Sequence, residues 1–212
     1  MNKGIFITFE GNDGSGKTTQ ILLLSEYLRQ KGLEVVTLRE PGGTAIGEKI
    51  REILLDNRNQ GMYPVTEMLL YAASRAQLVS SVIKPELEKN RAVICDRFLD
   101  SSLAYQGEGR GLGAENVWAV NRLAVDGCLP DITFFMDLDA DASMARLVAK
   151  GEGTDRIESE EMDFHRRVYS GYIKLARQYP DRIKRIDVNR NPQEVFAEIR
   201  GYMDKLLEKA KG

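Results

Sequence analysis

Histidine and cysteine are scarce in this sequence, with one histidine and two cysteines among 212 residues. A structural zinc cluster takes four Cys or His ligands, so this count excludes one. A triad with a histidine base would depend on His165 alone, and that residue lies in a charged, helix-like stretch. Cys95 and Cys128 stand among apolar residues, which favours core thiols. The chemistry must therefore come from acidic and basic side chains.

Long apolar runs and an excess of one charge are also missing. No stretch is long enough for a membrane span or a signal peptide, and we therefore expect a cytoplasmic protein. The formal net charge of −2 gives no general attraction to nucleic acid or to an anionic membrane. The length of 212 residues predicts a single domain over residues 1–212, at most with a small insertion. The fractions of 42% hydrophobic and 29% charged residues are ordinary for a globular protein.

Strand-like and helix-like segments alternate along the whole chain. Apolar runs predict strands at 4–10, 34–38, 91–96, 131–138 and 183–188. Helical patterns separate them, at 17–32, after Gly42-Gly43, at about 65–89 and at about 192–210. This alternation predicts an α/β fold in which a mostly parallel sheet is flanked by helices. A ligand would bind beyond the carboxyl ends of the strands.

Two polar, glycine-rich stretches, 105–113 and 149–155, interrupt this pattern. Each is either an ordinary surface loop or a mobile lid over a substrate. Basic residues flank the second stretch, which favours a lid there.

The first strand leads into a phosphate-binding loop of the pattern G-x-x-x-x-G-K-[ST], followed by a helix. Its backbone N–H groups would hold the phosphates of ATP, Lys17 would reach the β- and γ-phosphates, and Thr18 would help to hold Mg²⁺. The expected ATP-binding residues are Gly11, Asn12, Asp13, Gly14, Ser15, Gly16, Lys17, Thr18 and Thr19. Asp13 places a carboxylate in this anion-binding loop, and no arginine stands beside it in the sequence.

Charged residues stand where two further strands end. Asp96 suits a carboxylate that organises Mg²⁺, and Arg97 would hold a second phosphate; a strand-terminal salt bridge is the alternative. Arg39 ends another strand, just before Pro41-Gly42-Gly43. Two arginines beside a nucleotide loop suggest an acceptor that carries a phosphate, because the guanidinium fork binds phosphate through two hydrogen bonds.

Tyr71 and Arg75 are four residues apart on the long helical segment and so share a face. The ring could stack on a base while the guanidinium donates to the base carbonyl. The alternative is an aromatic residue of the core.

Six segments occur in an order and spacing that resemble bacterial thymidylate kinase over essentially the whole chain from Ile5: "EGNDGSGKTT", "REPGGT", "LLYAASRAQLV", "VIKPEL", "DRFLDSSLAYQGEGRG" and "GTDRIE". The resemblance implies the P-loop nucleoside monophosphate kinase fold, with a five-stranded parallel sheet, a short lid at about 149–157 and a homodimer. It implies transfer of the γ-phosphoryl group of ATP to dTMP with Mg²⁺, giving dTDP and ADP for dTTP biosynthesis.

The resemblance also implies residue roles. Arg39 and Arg97 would hold the phosphate of dTMP, Tyr71 would stack on thymine, and Tyr105 would crowd the 2′ side of the sugar. Arg75 would bind the base carbonyl, and Asp13 would accept a hydrogen bond from the 3′-hydroxyl. Asp96 falls at the Mg²⁺-site acid, with Glu40 supporting it. The expected dTMP-binding residues are Asp13, Arg39, Tyr71, Arg75, Arg97, Ser102, Tyr105 and Gln106.

A cation of the lid should face the phosphate loop and stabilise the transition state. Family members without a basic residue in the phosphate loop usually place an arginine just before the lid glycine. This chain has Lys150 there, with Arg146 and Arg156 nearby. Because lysine lacks the bidentate fork, we expect Arg156 to be the clamp, assisted by Lys150; Arg146 is the alternative. The expected catalytic residues are Lys17, Asp96, Arg97, Lys150 and Arg156.

Two other functions stay open. One is a kinase of the same fold that acts on a different nucleoside monophosphate or on a nucleoside. The other is a nucleotide-dependent switch or partitioning ATPase, although such proteins typically carry a second lysine early in the loop and need no paired arginines for an acceptor phosphate.

Overall fold

The computed structural model describes residues 4–151 and 155–209, and its centre is a five-stranded parallel sheet in the order β2-β3-β1-β4-β5. The three inner strands are almost wholly buried, whereas the two edge strands keep exposed residues. This confirms the parallel sheet that the alternation of apolar segments predicts. The strands are β1 (Ile5–Glu10), β2 (Val35–Arg39), β3 (Ala92–Asp96), β4 (Ile132–Asp137) and β5 (Ile183–Asp187).

Helices cover both faces of this sheet. They are α1 (Lys17–Gln30), α2 (Ala45–Leu55), α3 (Pro64–Leu78), α4 (Lys84–Glu88), α5 (Leu99–Ser102), α6 (Ala114–Val125), α7 (Ala140–Lys150), α8 (Met162–Gln178) and α9 (Pro192–Lys209). A wider π-helical turn joins α3 to α4, and another extends α5 over Leu103–Gly109. Among the described residues, we find no helix with the length and apolar character that a membrane span requires.

Two hydrophobic clusters fix the helices to the sheet. In α1, Ile21, Leu24 and Leu28 recur at helical spacing and pack with α9 against one face. Residues of α3, α6 and α8 form the cluster on the other face. Cys95 is fully buried there, and Cys128 lies half-buried against it.

The glycine-rich stretch 105–113 is not a loop throughout, because the chain stays helical to Gly109. A Cβ atom at Gly109 would lie 2.7 Å from the ring of Phe164 and 2.8 Å from Val168 on α8. On α8, the helix that packs against this segment, a Cβ atom at Gly171 would lie 3.1 Å from the Cα atom of Ala104. The prediction of a loop was therefore wrong for residues 105–109, where glycine permits close helix packing.

The second glycine-rich stretch is described only in part. Helix α7 extends to Lys150, and Gly151 follows it with a φ of 67°. Residues 152–154 of the predicted lid lie outside the described residues, as does the side chain of Lys150. The lid and the single-domain assignment both stay predictions.

Candidate active site

The phosphate-binding loop joins the carboxyl end of β1 to the start of α1. Gly11 has a φ of 132°, and a Cβ atom there would lie 2.6 Å from the carbonyl oxygen of Met136 on β4. Only glycine fits this close approach. The loop is held from the same side, because Asn12 donates to the carbonyl of Leu138 (3.1 Å) and Ser143 donates to the carbonyl of Asp13 (2.6 Å).

Lys17 is buried within the loop that it is expected to serve. Its Nζ donates to the carbonyl oxygens of Gly11 and Asn12, at 3.1 Å each. Burial, together with the charge of Arg97, lowers the pKa of Lys17. The ammonium group of Lys17 thus already lies in the loop, where phosphate oxygens would compete with the two carbonyl oxygens for its hydrogen bonds.

The cation that balances Asp13 comes from the end of β3. Nη2 of Arg97 lies 2.7 Å from Oδ1 of Asp13, and Nζ of Lys17 lies 3.9 Å from the same oxygen. Burial raises the pKa of Asp13, but the charges of Arg97 and Lys17 lower it to about 2. A carboxylate is tolerated in this loop because two cations adjoin it.

Two adjoining cavities open above this loop. The loop cavity is lined by Asp13, Gly14, Gly16, Lys17, Thr18, Thr19, Arg39, Glu40, Arg51, Asp96, Arg97, Leu147 and Glu158. The tyrosine cavity is lined by Asp13, Glu40, Pro41, Arg51, Leu55, Tyr71, Arg97, Ser101, Ser102, Tyr105, Gln106, Asp155, Ile157 and Glu158. The structure thus brings most of the expected dTMP-binding residues to one cavity, with Asp13 and Arg97 in the wall that both cavities share.

Arg51 is a cavity residue that the sequence analysis missed. It lies on α2, lines both cavities, and donates from Nη1 to the carbonyl oxygen of Pro41 at 3.0 Å. Arg39 donates to the same oxygen at 3.0 Å, binds Glu48 at 2.9 Å, and lines the loop cavity but not the tyrosine cavity. Burial and the charge of Arg39 lower the pKa of Arg51, so the pair would be stabilised by an anion. No motif marks Arg51, because its position depends on the fold of α2.

Arg75 is buried behind the tyrosine cavity and is not among its lining residues. Its Nε donates to Glu40 (2.8 Å) and its Nη2 donates to the carbonyl of Phe98 (3.0 Å). Its Nη1 donates to Ser102 (3.0 Å) and to Asn121. All three nitrogens thus bind protein acceptors, and the predicted contact with a base carbonyl stays a prediction.

Arg156 is also bound within the protein. Only 2% of its surface is exposed; Nε donates to the carbonyl of Leu54 (2.7 Å) and Nη2 donates to Glu67 (2.8 Å). Glu67 is fully buried and also binds Arg110 (2.8 Å) and Gln106 (2.9 Å). Arg156 lines neither cavity. In this structure Arg156 thus binds protein acceptors, and its predicted role as the clamp stays a prediction.

The carboxylates of Asp96 and Glu40 are the best placed to meet a metal ion. Both residues line the loop cavity beside Thr18. Oδ1 of Asp96 and Oε1 of Glu40 are buried and have no hydrogen-bond partner within the described part of the chain. Burial raises the pKa of Glu40 to about 7, although Arg75 opposes this effect. Buried carboxylate oxygens without a partner fit a hard cation such as Mg²⁺.

Comparisons with known proteins show the family to which this chain belongs. The family model described as thymidylate kinase matches residues 9–199. A thymidylate kinase of Thermoanaerobacter pseudethanolicus is 51% identical over 205 residues, covering 97% of this chain and 100% of the relative. That of Clostridium novyi is 44% identical over 204 residues, covering 96% and 100%.

A solved structure gives the same result. The crystal structure of thymidylate kinase from Ehrlichia chaffeensis superposes with a TM-score of 0.76 at 37% identity, covering 95% of this chain and 99% of that one. The chain therefore belongs to the thymidylate kinase family.

Proposed function

We propose that the two cavities hold the two substrates of one phosphoryl transfer, with ATP in the loop cavity and dTMP in the tyrosine cavity. As a thymidylate kinase, the protein transfers the γ-phosphoryl group of ATP to dTMP and forms dTDP and ADP. The observation that carries the assignment of the cavities is their shared wall, in which Asp13 and Arg97 face both. Phosphates bound on the two sides would meet there. We also propose that the protein acts in the cytoplasm.

Arginines and Lys17 would supply the positive charge for this transfer. Lys17 would leave the loop carbonyls for the β- and γ-phosphates, and Arg97 would hold the phosphate of dTMP. Arg51 would share that phosphate, because it lines the tyrosine cavity, and Arg39 would act from the loop cavity. Positioning two phosphates in line and neutralising their charge provides most of the acceleration in such reactions.

The base and the sugar would lie further into the tyrosine cavity. Tyr71 would stack on thymine, Ser102 and Gln106 would bind its polar edge, and Tyr105 would limit the 2′ side of the sugar. Asp13 would accept a hydrogen bond from the 3′-hydroxyl. Burial raises the pKa of both tyrosines, so their hydroxyls stay protonated and act as neutral hydrogen-bonding groups.

Thr18 and Asp96 are the residues that would hold Mg²⁺, with Glu40 beside them. When bound, Mg²⁺ neutralises charge on the β- and γ-phosphates. The protein would contribute few ligands of its own and leave room for phosphate oxygens and water.

The transition-state clamp falls to Arg146 or Lys150. Arg146 is exposed, and its Nη1 donates to the carbonyl of Gly14 in the phosphate loop at 3.2 Å. A guanidinium is thus already beside the loop, whereas the guanidinium of Arg156 is buried. Lys150 keeps the position before the lid glycine.

An acceptor screen tests the function. ADP release from Mg-ATP is followed with the monophosphates of thymidine, deoxyuridine, cytidine, adenosine and guanosine. We expect the highest kcat/KM with thymidine monophosphate. A purine or cytidine nucleotide that performs equally well would favour a different kinase, and ATP hydrolysis without phosphorylation of any acceptor would favour a switch ATPase.

We also propose that the protein forms a homodimer. Large apolar side chains are exposed on three helices that pack side by side, namely Ile46, Ile53, Val65, Leu69 and Leu123 on α2, α3 and α6. An exposed apolar surface of this kind is typical of an interface. Light scattering after size exclusion should give the mass of a dimer, and L123E should give a monomer. L22E, an exposed position on α1, is the matched control and should stay dimeric. A monomeric wild-type protein would refute the proposal.

A further inference from the structure

Glu10 is the last residue of β1, and its side chain is fully buried next to the phosphate-binding loop. The loop motif begins one residue later, and no motif assigns Glu10 a role. Its two carboxylate oxygens bind different parts of the segment after β3. Oε1 accepts from the backbone N–H of Phe98 (2.8 Å), and Oε2 accepts from the hydroxyls of Ser101 (2.5 Å) and Tyr172 (3.2 Å).

The bond to Phe98 lies next to a strained residue. Arg97 has a φ of 66°, in the left-handed region that non-glycine residues rarely adopt. Its N–H donates to the carbonyl of Phe9 (2.9 Å), and the next N–H donates to Glu10. Such strain persists only where the surroundings fix the backbone. The end of β1 therefore holds the bend that directs Arg97 toward the loop.

The other oxygen acts on the guanidinium of Arg97 through two hydroxyl groups. Nη1 of Arg97 donates to Oγ of Ser101 and to the hydroxyl of Tyr172, at 3.2 Å each. A guanidinium only donates hydrogen bonds, and an ionised carboxylate only accepts them. The two hydroxyl oxygens also lie 2.7 Å from each other and share a hydrogen bond. Both accept from Arg97; the hydrogen of Ser101 points to Glu10, and that of Tyr172 points to Glu10 or to Ser101. The carboxylate thus sets the direction of both hydroxyls.

Two further contacts hold the same guanidinium. Asp13 binds its Nη2 at 2.7 Å, and the ring of Tyr105 lies 5.1 Å from its central carbon. A binding group is preorganised when its rotamer is locked by neighbouring hydrogen bonds and packing. Arg97 meets that condition in the wall that the two cavities share.

We propose that Glu10 is a positioning residue for the acceptor phosphate, which holds Arg97 in the orientation that binds the phosphate of dTMP. The inference rests on the proposed function, in which Arg97 binds that phosphate. Glutamine is nearly isosteric with glutamate, but its amide nitrogen donates where Oε2 accepts. In Glu10→Gln, the hydroxyl hydrogens of Ser101 and Tyr172 would turn toward Arg97 and repel it.

Calorimetry with dTMP and with thymidine, at a pH above 7 where Glu10 is ionised, tests this role, because the ratio of the two affinities isolates the contribution of the phosphate. For Glu10→Gln we expect that ratio to fall about tenfold or more, the effect of weakening one charge-assisted contact. The affinity for thymidine and the KM for ATP should each stay within about twofold of wild type, well below that effect. A purely structural defect would instead lower the affinities for dTMP and thymidine alike and overturn the proposal.

Two tyrosine variants on α8 provide a second test. Tyr172→Phe removes one of the two hydroxyls and should lower the affinity ratio by roughly threefold, about the effect of one ordinary hydrogen bond. Tyr169→Phe is the matched control, because its hydroxyl binds Asp137 at 3.0 Å outside both cavities, and it should leave the ratio unchanged. Equal effects of the two variants would contradict the proposal.

The variant Arg97→Met distinguishes a failure of this inference from a failure of the proposed function on which it rests. If Arg97→Met leaves the ratio unchanged, the proposed phosphate site is wrong. If it lowers the ratio while Glu10→Gln and Tyr172→Phe do not, the site stands and the positioning role of Glu10 is refuted.

Discussion

The substitution Arg156→Met removes an almost fully buried guanidinium and keeps an apolar side chain of similar reach in its place. Two short hydrogen bonds are lost, to Glu67 at 2.8 Å and to the carbonyl of Leu54 at 2.7 Å. Hydrogen bonds to charged groups contribute about 1.5–3 kcal/mol each, and breaking a buried ion pair costs about 3–5 kcal/mol. Glu67 keeps its bonds to Arg110 and Gln106, which limits the loss. We expect the free energy of unfolding to fall by about 3 kcal/mol.

The assay is urea unfolding of the two variants Arg156→Met and Glu67→Gln, of the double variant, and of wild type. Because the two side chains are in contact, their effects should be non-additive, with a coupling of about 1–3 kcal/mol. Arg146→Met is the matched control. That arginine is exposed, so its loss should leave the urea midpoint close to that of wild type. We expect kcat to fall because Arg146 is one of the two residues proposed as the clamp.

The opposite pattern would refute this reasoning. A fall in kcat of about a hundredfold or more in Arg156→Met, with a stability change below about 1 kcal/mol, would show that Arg156 stabilises the transition state as the sequence suggested. The ion pair with Glu67 would then have to open during the reaction.

Three further predictions concern Arg51, Asp13 and Glu10. Arg51→Met should raise the KM for dTMP about tenfold in steady-state kinetics, as expected for a lost phosphate contact, whereas Lys49→Met on the same helix should not; equal effects would remove Arg51 from the site. Asp13→Asn should raise the KM for dTMP more than the KM for ATP, and an equal rise in both would contradict the assigned sugar contact. Burial and Asp100 raise the pKa of Glu10 from 4.5 to about 7, so its ionisation destabilises the folded state as pH rises through that range. Glu10→Gln should therefore gain stability relative to wild type between about pH 4.5 and 7, by up to about 3 kcal/mol in urea unfolding, and a constant difference would contradict the raised pKa.

The sheet could be predicted because its strands are local features. Each inner strand is a short apolar run that ends at a polar or glycine-rich turn, and the alternation with helices leaves few arrangements of the strands. Ile132–Asp137 and Ala92–Asp96 lie within one or two residues of the predicted bounds. The phosphate-binding loop could also be predicted from the sequence, since its glycines are required by local backbone geometry.

The features that could not be predicted depend on contacts between residues distant in the chain. Gly109 lies in a glycine-rich stretch of the sequence, but only the close packing of two helices explains why glycine is needed there and at Gly171. The pairing of Asp13 with Arg97 joins residues 84 positions apart, and that of Glu67 with Arg156 joins residues 89 apart. A positive charge in a sequence does not reveal whether it faces a ligand or a buried carboxylate. For this reason nothing in the sequence indicated that Arg156 pairs with Glu67 or that Arg51 lines both cavities.

The ion pair between Asp13 and Arg97 links the occupancy of the two cavities. A phosphate of dTMP that shares Arg97 with Asp13 would weaken this ion pair. Asp13 would then depend more on Lys17, its other neighbouring cation, which ATP would also recruit. The two substrates thus change each other's electrostatic surroundings through one carboxylate. Because coupling between binding sites is reciprocal, whatever factor dTMP imposes on the affinity for ATP, ATP must impose on the affinity for dTMP. A single carboxylate in the shared wall would then contribute to the affinities for both substrates, whichever of them binds first.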